Sequence, residues 1–172
     1  LLEYVLETMG LSSTAMEEDE GTAHENASAV VWGSDDTGAL ITHWAALSDA
    51  EYVIQAMLQP HVASAYKSRE GETAVDAQDH AGESALHYAS LNGSGLVLKA
   101  LLRFGADVNL QSDSGQCALH AAASNKKGAL IGTLIDAGAN VSIKDKNGKT
   151  AVDIASTFND DDLLARFDAE KR

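Results

Sequence analysis

Apolar positions along the chain fall into short stripes with helical spacing. Val97, Leu98, Leu101 and Leu102 mark one face of a helix, and Leu130, Ile131, Leu134 and Ile135 repeat that face 33 residues later. Upstream, Tyr52, Val53, Ile54, Met57 and Leu58 match Leu96, Val97, Leu98, Leu101 and Leu102 at a constant offset of 44. Each stripe follows a segment rich in small residues: Ala45 and Ala46, Ala89, Ala122 and Ala123. The pattern predicts alternating helices, an inner set that packs closely through alanine and an outer set held by an apolar stripe.

Between the helices runs a more specific repeat. Residues 82–89 read Gly-Glu-Ser-Ala-Leu-His-Tyr-Ala, residues 115–122 read Gly-Gln-Cys-Ala-Leu-His-Ala-Ala, and residues 148–155 read Gly-Lys-Thr-Ala-Val-Asp-Ile-Ala. Residues 38–46 join the series 44 residues before Gly82, which places extra residues within 59–74. A 33-residue period with this core resembles the ankyrin-repeat family. The resemblance implies an all-α solenoid of helix-turn-helix pairs with β-hairpin fingers at 31–38, 75–82, 108–115 and 141–148. Glycines 38, 82, 115 and 148 suit the sharp turn into each inner helix, Ser84 and Thr150 are expected to cap those helices, and Gly105 and Gly138 to end the outer ones.

The expected organisation is an outer helix of a partial leading repeat at 1–9, an acidic flexible loop at 10–30, and four repeats over 31–172. Those repeats include an inserted loop at 59–74 and a polar C-terminal cap built on Asp160, Asp161 and Asp162. Position 1 is not Met and the leading helix has no first half, so the chain reads as a piece of a longer array.

Composition narrows the function classes. The net charge is -14, and residues 1–37 hold nine Asp or Glu with no Lys or Arg. Such acidity opposes binding to a phosphate backbone and favours a protein partner with a basic region. No apolar run approaches the roughly 20 residues that cross a bilayer, and the N-terminus lacks a secretory pattern. With the single Cys117 these features suit a monomer inside the cell, cytoplasmic or nuclear.

No catalytic, cofactor or metal site is legible. His43, His87 and His120 stand one repeat apart, roughly 10 Å by helix packing, too far to share an ion bound at about 2 Å. The resemblance implies that these histidines bond within and between repeats, and that Asp153 replaces them where no repeat follows. Gly148-Lys149-Thr150 lacks the earlier glycine of a phosphate loop, since that position is Ile143. Leu101 followed by Asp107-Val108-Asn109 is similar to the pattern read by an asparaginyl hydroxylase of ankyrin hairpins, but is also the ordinary repeat consensus. Ser12, Ser13 and Thr14 precede the acidic run and are candidates for phosphorylation.

In the family, finger tips and concave-face residues grip partners. Carried over, the partner-binding positions are Asp36 and Thr37, His80 and Glu83, Asp113 and Gln116, and Lys144, Lys146 and Lys149, with charge changing from acidic at the first finger to basic at the last. Trp32 and Phe158 are the aromatic anchor candidates, and residues 59–74 offer a second surface. The expected role is non-catalytic protein–protein recognition by an intracellular scaffold or adaptor; the alternative is a regulatory or targeting segment of a larger enzyme or channel.

Overall fold

A computed structural model describes residues 34–63 and 73–167. The leading helix at 1–9, the acidic loop at 10–30, Trp32, and most of the 59–74 insertion lie outside the described residues. Four helix pairs follow in order: α1 (Ile41–Leu47) with α2 (Glu51–Met57), α4 (Ala85–Asn92) with α5 (Gly95–Arg103), α6 (Ala118–Ser124) with α7 (Gly128–Asp136), and α8 (Ala151–Ser156) with α9 (Asp161–Ala165). A short helix α3 (Pro60–Ala63) extends from α2 into the insertion.

The inner helices α1, α4, α6 and α8 stack on one another, and α2 also packs on α5. Small residues make the close stacking possible. Ala46, Ala89, Ala122 and Ala155 occupy the same place in successive repeats and are fully buried. On the outer helices Val97, Leu98 and Leu101, then Leu130, Ile131 and Leu134, are buried, while Leu102 and Ile135 are half-buried. The core is therefore a continuous layer between the two helix rows, and each repeat relies on its neighbour to complete it. At the C-terminal end Leu163 and Phe167 face inward and Asp161 and Asp162 outward. Asp160 has a more specific task than a polar coat, because its Oδ1 accepts the Leu163 N–H at 3.0 Å as the N-cap of α9.

Outer helices end as the sequence implies. Ala106 N–H returns to the Leu101 carbonyl at 3.1 Å and Ala139 N–H to Leu134 at 3.0 Å, with Gly105 and Gly138 in the left-handed region. This is the Schellman arrangement, which satisfies carbonyls left free at a helix end.

Inner helices start differently from expectation. Thr150 caps through its hydroxyl, which accepts the Asp153 N–H at 3.2 Å. The Ser84 hydroxyl instead meets the His87 ring, 2.9 Å from Nδ1. The ring reaches back to the helix start, as a capping-box Glu would. His43 Nδ1 accepts the Leu40 N–H at 2.9 Å, His87 Nδ1 that of Ser84 at 3.1 Å, and His120 Nδ1 that of Cys117 at 3.2 Å. The ring takes only the N–H of the residue before the helix; the histidine's own N–H turns back to that residue's carbonyl, His43 to Leu40 at 3.0 Å, His87 to Ser84 at 2.9 Å and His120 to Cys117 at 2.9 Å, so Leu40 and Cys117 need no capping hydroxyl.

An Nδ1 that accepts leaves Nε2 as the donor. Each Nε2 donates to a carbonyl at the base of the next repeat's finger: His43 to Glu83 at 2.9 Å, His87 to Gln116 at 3.0 Å and His120 to Lys149 at 3.2 Å. Asp153 keeps only the backward half, with its carboxylate accepting the Thr150 N–H at 2.9 Å and hydroxyl at 2.8 Å. Burial lowers the proton affinity of His43 and His87 below the ordinary imidazole value, despite bonds to carbonyls that pull the other way. At His120 burial is again the largest effect and acts downward, but the Cys117 sulfur beside Nδ1, the Lys149 carbonyl and the Asp145 charge together outweigh it and the ring is shifted upward.

Each finger is a tight turn. Gly38, Gly82, Gly115 and Gly148 N–H groups return to the carbonyls of Asp35, Asp79, Ser112 and Asp145 at 2.8–3.1 Å. The arms are shorter than a β-ladder requires, and among the described residues only Gln78 and Ser84 form an antiparallel bridge. The fingers spend their remaining backbone groups sideways. His80 N–H donates to the Thr37 carbonyl at 2.9 Å, Asp113 to Ala81 at 3.0 Å and Lys146 to Ser114 at 3.0 Å. This lateral approach explains the finger glycines beyond their positive φ. A Cβ on Gly82 would lie 2.7 Å from the Asp113 nitrogen, whereas one on Gly148 would meet nothing within 4 Å among the described residues.

Two expectations follow. Gly82→Ala and Gly148→Ala both force alanine into a left-handed conformation, at about 1 kcal/mol, but only the first also pushes two backbones apart. Chemical denaturation should show Gly82→Ala the more destabilising by at least about 1 kcal/mol; equal losses would mean that the lateral contact is slack. The imidazole resonances of His43 and His87 should titrate below about 6.5. The native chain then binds fewer protons at these rings than the unfolded chain, so their contribution to stability is complete above that pH and shrinks as pH falls through it. Ring titration at or above 6.5 in the folded chain would contradict this.

Candidate functional site

The finger row is built from backbone outward. In the first, second and fourth repeats an aspartate opens the turn and its Oδ1 accepts two N–H groups across it. Asp35 accepts from Thr37 and Ala39 at 2.8 and 3.0 Å, Asp79 from Ala81 and Glu83 at 2.8 and 2.9 Å, and Asp145 from Asn147 and Lys149, both at 2.9 Å. These bonds favour the ionised carboxylate. The Thr37 hydroxyl foremost holds Asp35 below the usual carboxylate range, and the Lys149 N–H foremost does so for Asp145. In the third repeat Ser112 takes the place of aspartate, and its hydroxyl lies 2.8 Å from that of Ser114.

Further polar side chains bind neighbouring fingers together. Gln78 Nε2 donates to the Gly82 carbonyl of its own finger and to Gln111 of the next at 3.1 Å; Gln111 Nε2 repeats this toward Gly115 at 2.6 Å and Lys144 at 3.4 Å. Deeper, Asp76 Oδ1 accepts the Asp107 N–H at 2.8 Å and Asn109 Oδ1 the Asn140 N–H at 2.7 Å. Asn109 therefore already serves as a strut between repeats.

On this frame the sequence-derived positions separate into two groups. Asp36, Thr37, His80, Asp113 and Lys146 are exposed at the tips, joined into one row by the lateral backbone bonds. Glu83, Gln116 and Lys149 stand at the finger bases, where their carbonyls accept the histidine rings; Glu83 and Gln116 are half-buried and Lys149 is exposed. Burial, and then the charge of Asp79, raises the Glu83 carboxyl above its ordinary range. Lys144 is exposed just before the fourth tip, with its carbonyl accepting from Gln111. Asn92, at the end of α4, spends its amide on the Leu47 carbonyl at 2.7 Å and on Ser94 at 3.0 Å.

Of the two aromatic anchor candidates, Trp32 lies outside the described residues. Phe158 is half-buried with the Lys126 ammonium 4.5 Å above its ring. Trp44 is exposed and Tyr88 half-buried, each following the repeat histidine on the groove side of its inner helix. The available signal was their register: in Thr-His-Trp (42–44) and Leu-His-Tyr (86–88) the aromatic takes the place of Ala121 and Ile154. Among the described residues no group of His, Cys, Asp and Glu is arranged to hold a metal ion. Cys117 and His120 touch at 3.0 Å, but the sulfur is fully buried and the ring is committed at both nitrogens.

Asp79 and His80 adjoin yet differ in task. Asp79→Ala strips three hydrogen bonds from the second finger and its groove aromatic, since Tyr88 Oη also donates to Asp79 at 2.8 Å. A loss of about 1–3 kcal/mol is expected in denaturant titrations, against less than about 0.5 kcal/mol for His80→Ala. Equal values would remove the distinction between frame and tip.

The family model for ankyrin repeats (3 copies) matches residues 42–145 and 86–166. A comparison with curated proteins finds no match. The matched residues span most of the chain and coincide with the stacked helix pairs, the histidine links and the turn glycines, and the chain belongs to the ankyrin-repeat family.

Proposed function

We propose that this chain is a non-catalytic recognition segment that grips a partner protein bearing a basic region, as a monomeric scaffold or adaptor inside the cell. Ankyrin repeats are in general protein–protein interaction modules. The observation that carries the finer reading is the finger row. Its backbone groups are consumed in turns and lateral bonds, while the tip side chains Asp36, His80, Asp113 and Lys146 project from it. A surface so pre-organised loses little freedom on binding. Acidic repeats at one end and a lysine-rich finger at the other favour a partner with the opposite polarity along its length and an association rate that falls with salt.

Proximity labelling in cells, with the chain as bait beside a variant carrying Asp36→Ala, His80→Ala, Lys146→Ala and Lys149→Ala, tests this reading. A set of proteins labelled by the chain and lost with the variant is the expected outcome. An unchanged set would overturn recognition by the fingers.

A further inference from the structure

The groove side of the first two repeats carries a feature that the finger tips do not use. Trp44 Nε1 donates to Asp35 Oδ2 at 3.1 Å, and Tyr88 Oη donates to Asp79 Oδ2 at 2.8 Å. Each finger aspartate thus holds its turn with one oxygen and a groove aromatic with the other. Tyr88 is steadied further by an edge-on contact with His43, ring centres 5.4 Å apart. One helical turn beyond each aromatic stands an exposed leucine, Leu47 and Leu91. Trp44 is 50% exposed, Leu91 43% and Leu47 36%. Because α1 packs on α4, these side chains belong to one apolar shelf. The third and fourth repeats hold Ala121 with Ser124 and Ile154 with Thr157 at the same places, so the shelf ends there.

Charge selects what covers it. Residues 34–63 and 73–98 contain seven Asp or Glu and no Lys or Arg. A symmetric contact between two copies would oppose acid to acid, and a phosphate backbone would be repelled. An indole face next to carboxylates suits a cation, and a planar guanidinium stacks on an aromatic ring better than an ammonium while donating in-plane to carboxylates.

We propose that this shelf receives an arginine flanked by an apolar side chain, in an extended segment of the partner protein. The guanidinium lies over Trp44 toward the Asp35 and Asp79 carboxylates, and its apolar neighbour covers Leu47 and Leu91. The inference rests on the recognition role proposed above and narrows it to a chemistry. The rings are already fixed by their aspartates, so binding needs no rearrangement of the groove.

The test begins by panning a displayed library of random 12-residue peptides on the full chain. The strongest binder is then synthesised with a fluorescent label and titrated against the chain, against Trp44→Leu and against the four-site finger variant. Trp44→Leu keeps an apolar group at an exposed position, and an unchanged helical spectrum and unfolding midpoint verify its fold.

The expected result is enrichment of arginine beside aliphatic or aromatic residues, with affinity about five- to tenfold weaker on Trp44→Leu. Replacing the peptide's arginine with alanine should weaken binding on the chain but much less on the variant. Enrichment of peptides without a cation, failure to enrich any peptide, or equal affinity for Trp44→Leu overturns the shelf. Loss of binding on the finger variant alone rejects the shelf and leaves the recognition role standing. Binding that resists both variants sinks both readings. Self-association in sedimentation that Trp44→Leu abolishes would assign the surface to a second copy and likewise reject the proposal.

Discussion

One imidazole per repeat couples the start of a helix to the finger of the next repeat, and the rest of the architecture hangs on that link. An inner helix begins with N–H groups that lack intrahelical partners, and the finger base presents a carbonyl beneath the neighbouring helix. His43, His87 and His120 satisfy both at once, Nδ1 taking the N–H and Nε2 giving to the carbonyl. The two bonds require one tautomer and a neutral ring, and at His43 and His87 the same burial that makes the link strong also disfavours protonation. Asp153 shows the logic by contrast. Its carboxylate only accepts, and it holds the helix start at Thr150 without a forward donor.

The finger aspartates form a second set of links built on the first. Because the histidines fix each finger base, one carboxylate oxygen can close the turn while the other reaches the groove aromatic. Structure and the proposed recognition surface are therefore not separate layers of this molecule. The residues that keep Trp44 and Tyr88 in place are the residues that keep the first two fingers folded. In the third repeat Ser112 replaces the carboxylate and Ala121 the aromatic, and both features lapse together.

Much of this was readable from residue order. The period, the alanines that permit close stacking, the outer-helix stripes and the glycines after them each follow from a local rule and fall where the rule puts them. The helix starts are less legible, because a serine before a helix ordinarily caps with its hydroxyl, and nothing local says that the Ser84 hydroxyl will turn to the ring of a histidine three residues on. The surroundings of the aromatics are hidden for a related reason. Phe158 looks free in sequence, yet Lys126 from the preceding repeat covers its ring. Trp44 looks like ordinary helix filling, yet it stands half exposed with its indole N–H on the Asp35 carboxylate.

By itself, then, the sequence determined that this chain stacks as ankyrin repeats, since period, volume and turn chemistry are properties of residues close together in the chain. Only the tertiary structure decided which side chains remain free to meet a partner. Exposure and hydrogen-bond commitment depend on what the neighbouring repeat brings alongside, 29 to 48 residues away, as with Asn92 held to Leu47 and Ser94 held to Ala46. A repeat can specify its own fold, but its surface is completed by the repeats on either side.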